Sequence, residues 1–206
     1  MNSSDARYVP KYGCAADPLT LLRARLPAPA RTHSAHVAIL ADMLAEQADV
    51  LGLLPYTRSL YLSGEYHNIG ESMGLARRPE QVPLMSEQVL RENISVLLDE
   101  PNIDADTVFD AARHHCERLD GSGYPDCLRG YEISLAARLV GLADMLDVIF
   151  TGDDGRYELH ANQALRFVRE SGAALFGSDA VGCFDAAEDK ILHMVVEHRN
   201  RVRDLE

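Results

Sequence analysis

The sequence has no apolar run long enough to cross a lipid bilayer and no charged segment followed by an apolar one near its start. We therefore expect neither a membrane span nor a secretory signal. The four cysteines show no C-x-x-C spacing. This pattern argues against a disulfide framework and favours reduced thiols in a cytoplasmic protein.

Positive charge is scarce: the chain has 20 lysines and arginines but 32 aspartates and glutamates, which gives a formal net charge of −12. Because binding to a nucleic-acid backbone requires a basic surface, this balance argues against DNA or RNA as a partner. The same charge repels a small anionic ligand at long range, so a nucleotide would need local cations to hold it.

Apolar residues make up 47% of the 206 residues, enough for the core of one domain. No alternating strand pattern of useful length is present, whereas helical spacing recurs along the chain. The sequence predicts an all-α bundle of about seven helices, preceded by a short helix at 19–26. The predicted segments are 33–51, 56–69, 84–99, 103–118, 133–150, 158–172 and 184–202, with breaks at 152–155 and 172–182.

The most informative segment is the block Asp120-Gly121-Ser122-Gly123-Tyr124-Pro125, which follows a helical stretch containing His114 and His115. Glycine admits positive φ and proline cannot continue the helical hydrogen bonds, so the block ends the helix. Histidines in the last turn can then point into a pocket that the loop covers. The alternative is an ordinary turn after a surface helix.

The string from His115 to Ile133 reads H-C-E-R-L-D-G-S-G-Y-P-D-C-L-R-G-Y-E-I. It resembles the HD-GYP pattern H-H-E-x-x-D-G-x-G-Y-P-x-G-L-x-G-x-x-I. Segments starting at His33, His67 and Ala137 resemble the first helix of that family and its H-D-I-G-K and A-R-I-x-x-x-A-D motifs. The resemblance runs from about residue 30 to about 190. It implies an all-helical fold, a metal cluster and hydrolysis of cyclic di-GMP, with residues 1–29 as a lead-in and 30–206 as the HD-GYP-like domain.

The resemblance also implies the candidate metal ligands, which are His33, His67, Asn68, His115, Cys116 and Asp144. Several positions depart from the family pattern. Asn68 replaces a bridging aspartate, Glu71 replaces a lysine that would meet phosphate, and Cys116 replaces the second histidine of a pair. Gln88 stands where we align a further ligand histidine. We therefore predict at most one divalent transition ion per chain, iron, manganese or zinc, with the cysteine favouring zinc.

Arg91 and Arg118 are the candidate cations for substrate phosphate. Arg91 lies one helical turn past Gln88, where it either binds a phosphate through its guanidinium or is a solvated surface arginine. The loop residues Asp120, Gly121, Gly123, Tyr124 and Pro125 are predicted to bind a partner, because the family's loop is implicated in docking proteins that make or sense cyclic di-GMP. Alternatively, Tyr124 packs the loop onto the preceding helix.

Three functions are consistent with these residues. The first is an HD-GYP domain with impaired catalysis that binds cyclic di-GMP or a related nucleotide, or a diguanylate cyclase or effector protein, for regulation. The second is an active phosphodiesterase that uses one metal ion. The third is a folded remnant in which the polar core residues are only structural. Loss of several ligand types together favours the first.

Overall fold

The computed structural model describes residues 16–55, 57–151 and 157–203. Secondary structure in these ranges is helical without a strand, which confirms the all-α prediction. The α-helices are α1 Pro18–Arg23, α2 Ala28–Val50, α3 Ser59–Tyr66, α4 Gln81–Glu92, α5 Ile94–Leu98, α6 Ala105–His114, α7 Leu135–Thr151, α8 Tyr157–Phe167, α9 Ala173–Phe176 and α10 Ser178–Arg203. Two 3-10 turns, Ile69–Met73 and Gly130–Glu132, and one π-helical turn, Val168–Gly172, complete the list.

Aspartate and proline define the starts of several helices. Asp17 caps α1 by accepting a hydrogen bond from the Thr20 amide at 2.9 Å, and Asp104 caps α6 in the same way. Proline is tolerated in a first turn because the amide it lacks has no helical partner there. Accordingly, Pro29 lies inside the first turn of α2, so this helix starts at Ala28, earlier than the predicted residue 33.

Buried side chains form two hydrophobic clusters. The larger cluster joins α2, α7, α8 and α10 through residues such as Leu40, Leu142 and Phe184. The smaller one joins α1, α3, α4 and α6 and includes Tyr66 and Phe109. Helices α2, α3, α6 and α7 pack against one another between the two clusters, and they carry the sequence-predicted ligands.

Glycine permits a close contact between two helices near those ligands. At Gly64 on α3, an added Cβ would lie 2.7 Å from the Ala38 Cα of α2. Only a residue without a side chain allows the two backbones to approach this closely. The contact brings the end of α3, where His67 follows, alongside α2, which carries His33.

Other predicted helix boundaries also differ from the structure. The segment 84–99 is two helices, because the Asn93 side chain donates to the Val89 carbonyl at 2.8 Å and ends α4. Helix α6 ends at His114, four residues before the predicted 118. The predicted break at 172–182 is wrong: residues 168–176 are helical, and only Gly177, with φ +96°, separates them from α10. The predicted break at 152–155 lies outside the described residues.

Candidate metal centre

Three side chains from separate elements bring potential metal ligands together. The Nε2 atom of His33 on α2 lies 3.2 Å from Nε2 of His67 and 3.1 Å from Oδ1 of Asp144 on α7. His67 Nε2 and Asp144 Oδ1 are 3.8 Å apart. With all ligand atoms within 4.8 Å of one another, two imidazoles and a carboxylate can bind one divalent ion, and this donor set suits zinc, iron or manganese.

Hydrogen bonds fix which nitrogen of each histidine faces the centre. His33 Nδ1 donates to Asp147 Oδ2 at 2.7 Å, and His67 Nδ1 donates to the Gly64 carbonyl at 2.7 Å. Because Nδ1 donates in each ring, Nε2 is the nitrogen that faces the centre, and it can bind a metal that displaces the His33 proton and the amide contact of His67. The backbone and the outer carboxylate therefore prepare both imidazoles as ligands.

Asp147 and His36 form a second layer behind His33. The Asp147 carboxylate is buried. Its Oδ1 accepts from His36 Nδ1 at 2.9 Å, while Oδ2 accepts from His33. Neither residue was identified as a site residue from the sequence. The available signal was the three-residue spacing that places His36 beyond His33 on α2 and Asp147 beyond Asp144 on α7.

The charges at this centre suit a cation. Full burial lowers the pKa of His67 to about 3, so this imidazole is neutral near pH 7. Burial opposes protonation of His33, but hydrogen bonds to Asp144 and Asp147 outweigh it and raise the His33 pKa to about 10. Burial likewise opposes ionisation of Asp144, yet the hydrogen bond from His33 keeps its pKa well below the usual value. A metal ion at this position would replace the His33 proton as the positive charge between two carboxylates.

His115 and Cys116 lie beside the three ligands. The His115 ring centroid is 5.0 Å from that of His67, and His115 Nδ1 donates to the Ala112 carbonyl at 3.0 Å. Burial opposes ionisation of the Cys116 thiol, but the charge and hydrogen bond of His115 and a hydrogen bond with Tyr124 lower its pKa. Cys116 is therefore held as a polarised thiol at the edge of the centre.

Asn68 and Glu71 occupy the positions where the departures from the family pattern matter most. The Asn68 side-chain nitrogen lies 2.9 Å from His67 Nε2, where a neutral amide cannot bridge two cations as a carboxylate does. Both residues line a pocket of about 600 Å³ that also includes His33 and Asp147 and is otherwise mostly apolar. Beside the candidate cluster of His33, His67 and Asp144, the nearby described side chains offer the imidazole of His115, an amide at Asn68 and a thiol at Cys116.

The other polar residues considered from the sequence have partners of their own. Arg91 Nε donates to Glu87 at 2.8 Å and its guanidinium lies over the Phe109 ring. Gln88 is exposed and donates to Glu92. Arg118 donates to the His115 and Glu117 carbonyls. His114 pairs with Asp110 and Asp126, so the structure places His115 and Cys116, and not His114, towards the centre.

The loop after α6 is held from beneath by Glu117. This buried carboxylate accepts from the Asp126 amide at 2.7 Å and from the Leu128 amide at 3.1 Å. Asp120 caps the turn by accepting from the Ser122 amide at 2.9 Å. Tyr124 is half-buried against Cys116, whereas Tyr131 at the far end of the loop is 83% exposed.

Comparison with known proteins agrees with this geometry. The model of the HD domain family matches residues 21–179. A cyclic di-GMP phosphodiesterase of Vibrio cholerae is 27% identical over 183 residues, covering 80% of this chain and 36% of that protein. A 3'3'-cGAMP-specific phosphodiesterase of the same organism is 30% identical over 148 residues, covering 66% of this chain and 32% of that protein. A cyclic di-GMP phosphodiesterase of Pseudomonas aeruginosa is 30% identical over 145 residues, covering 67% and 34%.

The chain thus spans about a third of the length of the curated relatives it matches. None of the helices within the described ranges is both long enough and apolar enough to cross a membrane. HD domain phosphohydrolases depend on metal ions, and His33, His67 and Asp144 supply a candidate metal site here. From its helical fold, its converging histidines and aspartate and the family match, we conclude that the chain belongs to the HD domain family and is HD-GYP-like.

Proposed function

We propose that the chain is a divergent HD-GYP domain that binds a cyclic dinucleotide at a one-metal centre and turns it over slowly or not at all. The observation that carries this proposal is the amide of Asn68 at 2.9 Å from His67 Nε2. With an amide there and a thiol at Cys116, the second ion of a bridged pair has too few anionic ligands. Such a domain acts by binding and not by catalysis.

A bound divalent ion supplies a Lewis acid for a phosphate oxygen. The chain's own residues have three tasks around it. His33, His67 and Asp144 hold the ion, and Asp147 orients His33. The pocket of about 600 Å³ provides apolar walls from the start of α2 for the rest of the ligand.

An active one-metal phosphodiesterase is the second candidate, and the names of the relatives favour it. One set of measurements on the purified chain decides between the two. Elemental analysis gives the ions per chain, calorimetry gives the affinity for cyclic di-GMP, and chromatography of the nucleotide gives turnover with manganese or iron. We expect at most one ion, measurable binding and negligible turnover. Rapid hydrolysis with one ion per chain would establish the one-metal enzyme instead, and rapid hydrolysis with two ions per chain would contradict both candidates.

The loop from Asp120 to Tyr131 is the proposed surface for a diguanylate cyclase or effector protein. Support comes from Tyr131, whose exposed ring lies at 5.5 Å over the Arg138 guanidinium, since tyrosine is common at binding hot spots. Because Tyr124 contacts Cys116, Tyr124→Ala alters the centre as well as the loop. A pull-down with Tyr131→Ala is therefore the cleaner test, and an unchanged set of captured proteins would contradict the proposal.

A further inference from the structure

The pocket of about 600 Å³ that His33 and Asn68 line is called the metal pocket below. A second cavity adjoins it. It has a volume of about 350 Å³, lies between the 3-10 turn Ile69–Met73 and α4, and shares Glu71 with the metal pocket. Its lining residues are Glu71, Gly74, Ala76, Arg77, Arg78, Pro79 and Val82. The volume falls in the range of small-molecule sites, and the shared residue makes the two cavities neighbours.

Arg77 and Arg78 carry the positive charge of this cavity. Their backbone amides donate to the Gln81 side chain at 2.8 and 3.2 Å. Within the described part of the chain, neither guanidinium has a hydrogen bond or ion pair, whereas those of Arg91, Arg113 and Arg138 all do. Two arginines whose guanidinium groups have no partner among the described residues thus line the same cavity as the carboxylate-bearing Glu71.

This combination matches the edge of guanine. Guanine presents acceptors at O6 and N7, which arginine can contact bidentately, and N–H donors at N1 and N2, which a carboxylate can accept. Adenine reverses the pattern by placing an amino donor where guanine has O6. The apolar groups of Ala76, Pro79 and Val82 provide a surface for the face of a base.

We propose that the cavity binds the guanine base of a nucleotide whose phosphate lies at the metal centre, with Glu71 accepting from N1 and N2 and the arginine pair donating to O6 and N7. The inference rests on the proposed function and adds base specificity to it. A second phosphate is the less suitable occupant, because the Glu71 carboxylate in the same cavity would repel it. Glu71, which replaces the family's lysine, would thus recognise the base.

Calorimetry on the full chain with cyclic di-GMP and cyclic di-AMP tests the proposal. The variants are Glu71→Gln and the double change Arg77→Gln/Arg78→Gln, all at exposed positions. Matched controls are Arg166→Gln and Glu170→Gln, an exposed ion pair at α8 and the following turn. We expect wild type and controls to bind cyclic di-GMP at least tenfold more tightly than cyclic di-AMP. Each site variant should bind cyclic di-GMP about tenfold more weakly than wild type does, which is a loss of about 1.4 kcal/mol in binding free energy. Its affinity for cyclic di-AMP should fall less than threefold.

Each other outcome overturns a specific claim. If the arginine variant loses affinity equally for both dinucleotides, the cavity is a phosphate site and base recognition is rejected. Tighter binding of both ligands by Glu71→Gln would show that the carboxylate only repels. Wild-type binding of cyclic di-GMP that survives in both variants would reject this cavity but leave the proposed function intact. If wild type binds neither dinucleotide, the proposed function itself fails and the inference fails with it.

Discussion

At the scale of single residues, Asp147 connects the fold to the chemistry of the centre. Its buried carboxylate holds His33 from one side and His36 from the other. Since such outer carboxylates orient imidazole ligands and increase their basicity, we predict that Asp147→Asn weakens metal binding by about 10- to 100-fold. Competition with a metal chelator in the purified protein measures this directly.

The matched control for that prediction is Asp110→Asn. Asp110 also accepts from a histidine, His114, and from Ser134, but it lies outside the three-ligand cluster. Its replacement should leave metal affinity within about twofold, because second-layer effects arise from contact with a ligand. Equal metal affinity in Asp147→Asn and wild type would remove the assigned positioning role.

Motif positions predict three residues at this scale that the structure brings into one candidate metal-binding cluster. His33, His67 and Asp144 were placed together from the sequence, and the structure brings their donor atoms within 4.8 Å. The outer layer was not predicted, since the motifs mark ligands and not the residues behind them. Arg77 and Arg78 were not predicted for another reason: only the fold shows that these two residues line one cavity together with Glu71.

At the scale of elements, the contact between α7 and the end of α6 sets the position of His115. An added Cβ at Gly141 would clash with the His115 carbonyl oxygen, which is backbone and cannot rotate away. We predict that Gly141→Ala lowers the free energy of unfolding by about 2 kcal/mol through overpacking. Urea denaturation followed by circular dichroism gives the value.

Gly182 on α10 is the matched control, because an added Cβ there meets no atom within 4 Å. Gly182→Ala should raise stability by about 0.5–1 kcal/mol through helix propensity. The two alanines therefore shift stability in opposite directions if packing at His115 is the cause. If Gly141→Ala and Gly182→Ala lower the free energy of unfolding by similar amounts, this account is contradicted.

Asp179 joins the start of α10 to α7 through Arg138. The buried guanidinium donates to both carboxylate oxygens, at 2.5 and 2.9 Å, and to the Phe176 carbonyl. Burial opposes ionisation of Asp179, but the hydrogen bonds from Arg138 lower its pKa below the usual 3.8. A carboxyl with a lowered pKa in the folded state contributes stability above about pH 4, and that stability is lost as the pH falls through the lowered value.

We therefore predict that Asp179→Asn costs about 2 kcal/mol near pH 7, since it leaves the buried Arg138 charge partly uncompensated. The difference from wild type should shrink below about pH 4, as wild-type Asp179 itself becomes protonated. Thermal unfolding between about pH 3 and 7 measures both effects. Glu170→Gln, in an exposed pair with Arg166, should change stability by less than about 0.5 kcal/mol. If the stability difference between Asp179→Asn and wild type is the same at all pH values, the ionised pair of Asp179 and Arg138 is not the cause of that difference.

The spacing of apolar residues predicts that the helices exist, but it does not predict where several of them end. Asn93 ends α4 through its own side chain, a local competition that periodicity does not detect. The turns from residue 168 to 176 remain helical despite Gly172, because Val181 and Val168 pack around that glycine. Tertiary packing thus overrode the expected break, while Gly177, with a positive φ that favours glycine, supplied the actual one.

At the scale of the whole molecule, a two-metal centre would need residues from several elements. Asn68 follows α3, Glu71 lies in the next turn and Cys116 follows α6, so no single change rebuilds a two-metal site. We predict that the triple variant Asn68→Asp, Glu71→Lys, Cys116→His binds a second ion and hydrolyses cyclic di-GMP at least ~100-fold faster than wild type. Each single change should do little, because residues of one catalytic unit are strongly non-additive.

Turnover of this triple variant should be measured with manganese at saturating cyclic di-GMP, because Glu71→Lys also removes the proposed contact to guanine. Gln88 is left unchanged because it lies on the exposed face of α4 and pairs with Glu92. Adding Asp144→Asn to the triple variant should abolish the gain in turnover, since Asp144 is one of the three candidate ligands. Rapid hydrolysis by the unmodified chain would show that an amide and a thiol suffice in this family. A triple variant with one ion and no turnover would mean that the altered geometry extends beyond these three residues.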